Sequence, residues 1–266
     1  MDGHSRSDMN DPRAVRGLCR EGAFDGITAG VAMGRVQANL VVVEKAVAFE
    51  FLLFCQRNPK PCPILDVTEA GETEPRAIAP GADIRTDLPR YRVWRDGVLE
   101  AEPTDISDIW RDDFVGFLIG CSFTFENAMA DAGLPLRHLE RGGNVPMYVT
   151  DRACAPAGRF AGPMVVSMRP MTRAQAVKAT EVTARYPRAH GAPVHMGDPT
   201  EVGIRDLERP DFGDPVPLGE NEIPVFWACG VTPQAVIMER KPAIAITHAP
   251  GHMFVADLRD EALIGA

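Results

Sequence analysis

The chain has 266 residues, 45% hydrophobic and 24% charged, with a formal net charge of −9. That length buries a real core in one large domain or two modest ones. An acidic surface excludes a general nucleic-acid binder, which needs a basic face.

Arginine supplies 24 of the 28 basic residues, so forked carboxylate binders are plentiful, and a locally basic pocket could take an anionic small molecule. The first stretch, "MDGHSRSDMNDPRAV", has no apolar core and no small-residue cleavage site, so no secretory signal is expected. The longest apolar runs, such as "FVGFLIGC", are too short to span a bilayer. Six cysteines spread along the chain without a CxxC pair read as reduced thiols of a cytoplasmic protein. Neither a membrane nor a nucleic acid is expected as partner.

In chain order, Asn10 or Asp11 can cap a helix with Pro12 at its first position. "QANLVVV" (37–43) has a β-branched run and predicts a strand. "EKAVAFEFLLFCQRN" (44–58) predicts a helix with Val47, Phe51 and Phe54 on one stripe, stopped by "PKPCP". "ILDVT" is a short buried strand, and 69–89 a long loop. Asp96-Gly97 in "RYRVWRDGVLEAE" predicts a tight hairpin. "DISDIWRDD" predicts a short amphipathic helix.

Two later segments share one plan. "FVGFLIGCSFTFENAMADAG" and "IPVFWACGVTPQAVIMERKP" each run from an apolar strand through a Cys/Gly turn to a helix. Such turns gather backbone N–H groups and a helix N-terminus where ligands bind. Between them, "NVPMYVTDRACAPAGRFAGPMVVSMRPM" alternates strands and turns, and "TRAQAVKATEVTARYP" is a helix capped by Thr172. The expected fold is α/β: a three-layer α/β/α main domain over 1–135 and 222–266, with a smaller α+β domain inserted over 136–221.

Four of the six histidines form two loop pairs, His190/His195 and His248/His252. Gly and Pro interrupt both spacings, so neither fixes ligands as a helical H-x3-H does, and no metal is expected. "PAIAI" before His248 places it at a strand's carboxyl end, with Pro250-Gly251 turning the chain beside it. No nucleotide or pyridoxal signature occurs, and no cofactor is expected.

Cys121 stands at a helix start, where the dipole lowers a thiol pKa and a thiolate nucleophile is conceivable; a small buried residue at a tight turn is the stronger reading there. Ser122 and Thr124 suit capping or carboxylate binding. Glu126, between apolar neighbours Phe123 and Phe125, suits a raised pKa and proton donation. Cys229, Thr232 and Gln234 mark the second turn. Asn144 follows two glycines, and Arg169 ends a strand as a candidate carboxylate fork.

The ordered motifs "QANLVVV", "FLLFCQRNPKPCPILDVTE", "GCSFTFENAM", "NVPMY", "VSMRP", "HGAPVHMGDP", "WACGVTPQ" and "ITHAPGHMFVAD" together resemble the D-glutamate cyclase family. The likeness runs from about residue 10 to 260. It implies a cofactor-independent hydro-lyase that converts D-glutamate to 5-oxo-D-proline and water. On that reading Glu126 protonates the leaving oxygen and His248 accepts the amine proton. The turns at Cys121–Ser122 and Gly230–Thr232 bind carboxylate and oxyanion. Arg169, His195 and Asp198 hold the α-carboxylate and amine, and Cys121 or Cys229 offers a thioester variant. Two alternatives stay open: a metal-assisted hydratase or amidohydrolase on another small carboxylate, and a non-catalytic binder of an acidic metabolite. "DFGDPVPLGENEIP" fits either a loop or an interface of a homo-oligomer.

Overall fold

The computed structural model describes residues 8–265; the first seven residues of the stretch read as lacking a signal lie outside them. Asp11 caps α1 (Pro12–Arg20) by accepting the Arg13 N–H at 3.1 Å. β1 (Arg35–Glu44) covers the expected "QANLVVV", and α2 (Lys45–Arg57) buries the expected Val47, Phe51 and Phe54. β2 (Ile64–Val67) follows the proline-rich stop. β3 (Tyr91–Arg95) and β4 (Val98–Ala101) form the hairpin. Its turn residues Asp96 and Gly97 have φ of +47° and +76°, the two positive values of a type I′ turn. The helix expected in "DISDIWRDD" is only a 3-10 turn at Ser107–Ile109. Ile106 alone is buried there, too little apolar face for a longer helix.

β5 (Phe114–Gly120) leads into α3 (Phe123–Asp131), and a short α4 (Arg137–Glu140) follows. β6 (Met147–Ala153) and β7 (Pro163–Thr172) precede α5 (Arg173–Ala184). Thr172 and Gln175 start α5 with a reciprocal capping box, each side chain accepting the other's N–H. β8 (His195–Met196), β9 (Glu222–Ala228), α6 (Thr232–Arg240), β10 (Ile244–His248) and β11 (Phe254–Arg259) complete the chain.

The α/β expectation holds only in coarse form. Helices and strands are mixed, but every pairing between the strands is antiparallel. One sheet runs β2-β5-β1-β10-β3-β4, with β11 also on β1; the other runs β6-β7-β9-β8. β9, from the segment expected in the main domain, sits between β7 and β8, so the second sheet draws on both expected domains. The core crosses the same line: Val36, Leu40 and Val42 of β1 share an apolar cluster with Val225 and Trp227 of β9. The opposite face of β1, with Val41 and Val43, packs against α2 and α6. Among the described residues no helix is long and apolar enough to cross a membrane.

One edge of β1 is shared by two strands. β10 pairs with Val41–Val43 and β11 with Arg35–Ala38, while β5 lies along the other edge. Residues 249–253 therefore leave the sheet between β10 and β11, opposite Asn39 and Leu40. Pro250 and Gly251, the latter at φ +82°, make that excursion possible.

A buried ion pair docks α3 against the second sheet. Arg169 of β7 donates to Glu126 of α3 through Nε, at 3.2 Å, and through Nη2. Its other nitrogen contacts are Ser167 Oγ and Ser122 Oγ, both at 3.2 Å. Its guanidinium lies 5.5 Å from the Phe125 ring centroid and 5.3 Å from that of Trp227. Glu126→Gln leaves this cation buried and unmatched and should cost about 3–5 kcal/mol in urea unfolding at neutral pH. The Glu126 carboxyl falls from 4.5 to about 2 on folding, so its stabilisation is complete above 4.5 and disappears as pH drops toward 2. The variant should lack that part of the acid limb, and an unchanged unfolding midpoint would contradict the role.

Candidate active site

The two strand–turn–helix units meet at one cleft. Cys121, Ser122 and Phe123 come from the β5–α3 turn, and Cys229, Gly230 and Val231 from the β9–α6 turn. Asn39, Asn144, His190, His248 and Gly251 complete the polar and glycine lining. The Phe123 amide faces the Cys121 thiol, and the Val231 amide faces the Cys229 thiol. Among the described residues, the Ser122 and Gly230 N–H groups have no protein acceptor. Each stands at the N-terminus of a nine-residue helix, where the dipole favours an anion.

Gly230 is there because nothing larger fits. A Cβ on it would run into the Asn39 side chain. Asn39 cannot yield, since its Nδ2 donates to the Ile119 and Gly120 carbonyls at 3.2 and 2.8 Å. Gly120 plays a related part: a Cβ would strike the Arg188 carbonyl, so glycine admits the 187–191 loop to the end of β5. That loop carries His190.

Both cleft histidines are neutral. Burial pushes each down from 6.5 to about 4, although backbone contacts, Lys60 for His190 and Leu40 for His248, work the other way. His248 Nδ1 lies 3.2 Å from the Leu40 N–H and 3.3 Å from its carbonyl. These are the groups left open between β10 and β11, and Nδ1 can meet one of them, accepting from the N–H without a hydrogen or donating to the carbonyl with one. Gln234 Nε2 donates to the His248 carbonyl at 2.9 Å and lies 3.5 Å from its Nε2. His190 Nδ1 lies 2.7 Å from the Lys60 carbonyl, while its buried Nε2 has no partner. Sequence reading passed over His190 as half of a loop pair; its φ of +77°, rare for histidine, is visible only in the fold.

Several expected roles change. Glu126 is not a proton donor: burial raises its carboxyl, but Arg169 and His138 outweigh that and hold it at about 2. His138 Nε2 is 3.1 Å from Glu126 Oε1, off the line of a good hydrogen bond. Arg169 is no carboxylate fork in the cleft, because Glu126 and the serines occupy it. Cys121 is no resting thiolate; burial pushes its thiol well up, and that of Cys229 to about 11. Thr124 Oγ accepts the Gln37 N–H at 3.2 Å, and Thr232 Oγ accepts the Val165 N–H at 3.0 Å while donating to the Cys229 carbonyl at 2.7 Å. Both threonines are structural, and Gln234 acts through His248. His195 and Asp198 lie outside the cleft: His195 stacks on Phe226 and its Nε2 meets the Asp198 carbonyl at 2.7 Å, and the Asp198 carboxylate accepts from Thr200. Asn144 does line the cleft; its Oδ1 accepts the Val145 N–H at 2.9 Å, and a Cβ on Gly251 would come within 2.9 Å of its Nδ2. Among the described residues no three His, Cys, Asp or Glu side chains group to hold a metal.

The family model described as D-glutamate cyclase matches residues 115–257. A protein of Stutzerimonas stutzeri, named "Putative hydro-lyase", is 62% identical over 252 residues, 95% of each chain. One of Geobacillus kaustophilus is 62% identical over 251 residues, 94% of this chain and 95% of its own. One of Bacillus subtilis is 60% identical over 252 residues, 95% of this chain and 98% of its own; both carry the same description. A solved nitrogen repressor-like protein of Methanococcus jannaschii aligns over 92% of this chain and 98% of its own at 11% identity and TM-score 0.33, too low to carry an argument. With the turn motifs of both cleft walls inside the matched span, and identity near 60% over almost the full length of three relatives, the chain belongs to the D-glutamate cyclase family.

Proposed function

We propose that this chain is a hydro-lyase of the D-glutamate cyclase type, which closes D-glutamate to 5-oxo-D-proline and releases water. The observation that carries this reading is the convergence of two helix N-termini, each with a free N–H, on a cleft that also holds neutral imidazoles. The substrate has two carboxylates and one amine. One helix end takes the α-carboxylate. The other takes the side-chain carboxylate and, after attack, the tetrahedral oxyanion. Holding both ends folds the chain so that the amine meets Cδ, which supplies much of the rate through proximity.

The atoms balance without a redox partner. The ammonium loses two protons as the N–Cδ bond forms, and the departing oxygen gains two as the Cδ–O bond breaks. A base that is neutral before each transfer can take and return them in turn. No thiolate is needed, and the raised thiols make a thioester route the weaker variant.

The reaction is tested by incubating the purified protein with D-glutamate and following 5-oxoproline by mass spectrometry, with L-glutamate as control. Product from D-glutamate is expected; binding of D-glutamate with no loss of substrate would favour a non-catalytic binder instead. Turnover that disappears on chelation and returns with metal would favour the metal-assisted alternative. Gly230→Ala should push the second turn away from Asn39 and lower kcat/KM on the order of 100-fold, the scale of one lost oxyanion donor. Steady-state kinetics with normal constants would remove the Gly230 N–H from the oxyanion site.

A further inference from the structure

The two cleft imidazoles are not equivalent. His248 has its Nδ1 against the Leu40 backbone, and the Gln234 amide that donates to its carbonyl lies almost equally far from both ring nitrogens, 3.4 Å from Nδ1 and 3.5 Å from Nε2. His190 has one ring nitrogen in hydrogen-bond contact, with the Gly120 backbone also bearing on the ring. Its Nδ1 lies 2.7 Å from the Lys60 carbonyl, and a carbonyl can only accept. The Nδ1 of His190 must therefore carry the hydrogen. In the neutral ring this leaves a lone pair on Nε2, a buried atom with no hydrogen-bond partner in a residue that lines the cleft. A buried acceptor without a donor is costly unless a ligand supplies one.

The fold spends several unusual features on placing this ring. Gly120 admits the Arg188 carbonyl, bringing the loop against the end of β5. His190 and Gly191 both take positive φ, +77° and +64°, and the Gly191 N–H closes the turn on the Tyr186 carbonyl at 2.9 Å. The proline-rich segment after α2 is fixed at two points. The Pro63 carbonyl accepts the Gly120 N–H at 2.9 Å, and the Lys60 ammonium donates to the Ala192 carbonyl. So the carbonyl that sets the His190 tautomer is tied both to the strand leading into Cys121 and to the histidine's own loop.

We infer that His190, through Nε2, is the base that takes the amine protons and returns them to the departing oxygen, with the Lys60 carbonyl as its positioning group. This rests on the cyclisation reading above. The cycle closes on one nitrogen. Nε2 takes a proton from the ammonium and delivers it to the side-chain carboxylate. After the amine attacks, Nε2 takes the second proton from nitrogen and delivers it to the hydroxyl, which leaves as water. His248 then acts as part of the wall, holding the sheet edge.

His190→Asn is the discriminating variant. Asparagine tolerates positive φ, and its amide N–H can replace Nδ1–H toward Lys60, while nothing replaces Nε2. D-glutamate turnover should fall at least ~100-fold, the scale of general acid–base assistance, with KM little changed. Wild-type kcat/KM should fall as pH drops through about 4, where Nε2 takes a proton. The groups bearing on that titration are the Lys60 and Arg169 cations, the Cys121 and Cys229 thiols and His248. NMR of 15N-histidine-labelled wild-type protein reads the tautomer independently of any variant's folding. A neutral Nδ1–H form is expected at His190, and an Nε2–H form would overturn the assignment. An active wild type with a His190→Asn variant of near-normal turnover would overturn His190 while sparing the cyclisation reading. A wild type that makes no 5-oxoproline would overturn both.

Discussion

A single buried guanidinium constrains much of this structure. Arg169 is 1% exposed, and a cation so placed costs several kcal/mol unless its donors are met. Its partners come from elements far apart in sequence: Glu126 and Ser122 at the start of α3, Ser167 on its own strand, and the neighbouring rings of Phe125 and Trp227. Meeting them docks α3 against the second sheet. Ser122 is the last link, because it also lines the cleft. The charge therefore never faces a ligand, yet it sets where one wall of the cleft stands.

The opposite constraint is a deliberate vacancy in a sheet edge. A continuous strand beside β1 would have paired Leu40 and closed the cleft. Instead the chain leaves after His248, turns through Pro250 and Gly251, and returns as β11. An unpaired backbone N–H and carbonyl would be expensive there, and the Nδ1 of the His248 ring meets one of the two. The cleft is thus opened and repaired by the same short segment.

Local signals were readable and long-range ones were not. The Asp96-Gly97 hairpin, the Thr172 cap, the "QANLVVV" strand and the twin strand–turn–helix units all rest on neighbours within a few residues, and each formed. The turn at 250–251 and the strand-end position of His248 were legible for the same reason. The charge state of Glu126 was not. Sequence shows Phe123 and Phe125 beside it, which argue for a raised pKa, but its decisive partner is Arg169, 43 residues away. His190 was hidden in the same way, since the carbonyl that fixes its tautomer lies 130 residues earlier. His195 and Asp198 drew attention because they share a loop with it, yet His195 in β8 stacks on Phe226 and Asp198 accepts from Thr200. The antiparallel order of both sheets also escaped, because a buried strand reads the same whichever direction its neighbour runs.

The polarity of the cleft then bears on the kind of ligand it can hold. Its walls present neutral imidazoles, amides, protonated thiols and two unpartnered backbone N–H groups, but no full charge of either sign. Helix ends supply partial positive charge at two fixed points. A ligand with two anionic ends is satisfied by that arrangement without a lysine or arginine at the surface of the site, which fits an acidic protein whose cations are largely engaged elsewhere. A ligand bound this way keeps its carboxylates desolvated, and they in turn favour the charged form of an ammonium between them. On the cyclisation reading, freeing the amine for attack therefore depends on moving a proton from nitrogen to a carboxyl oxygen, a transfer that a neutral imidazole in the wall is suited to relay.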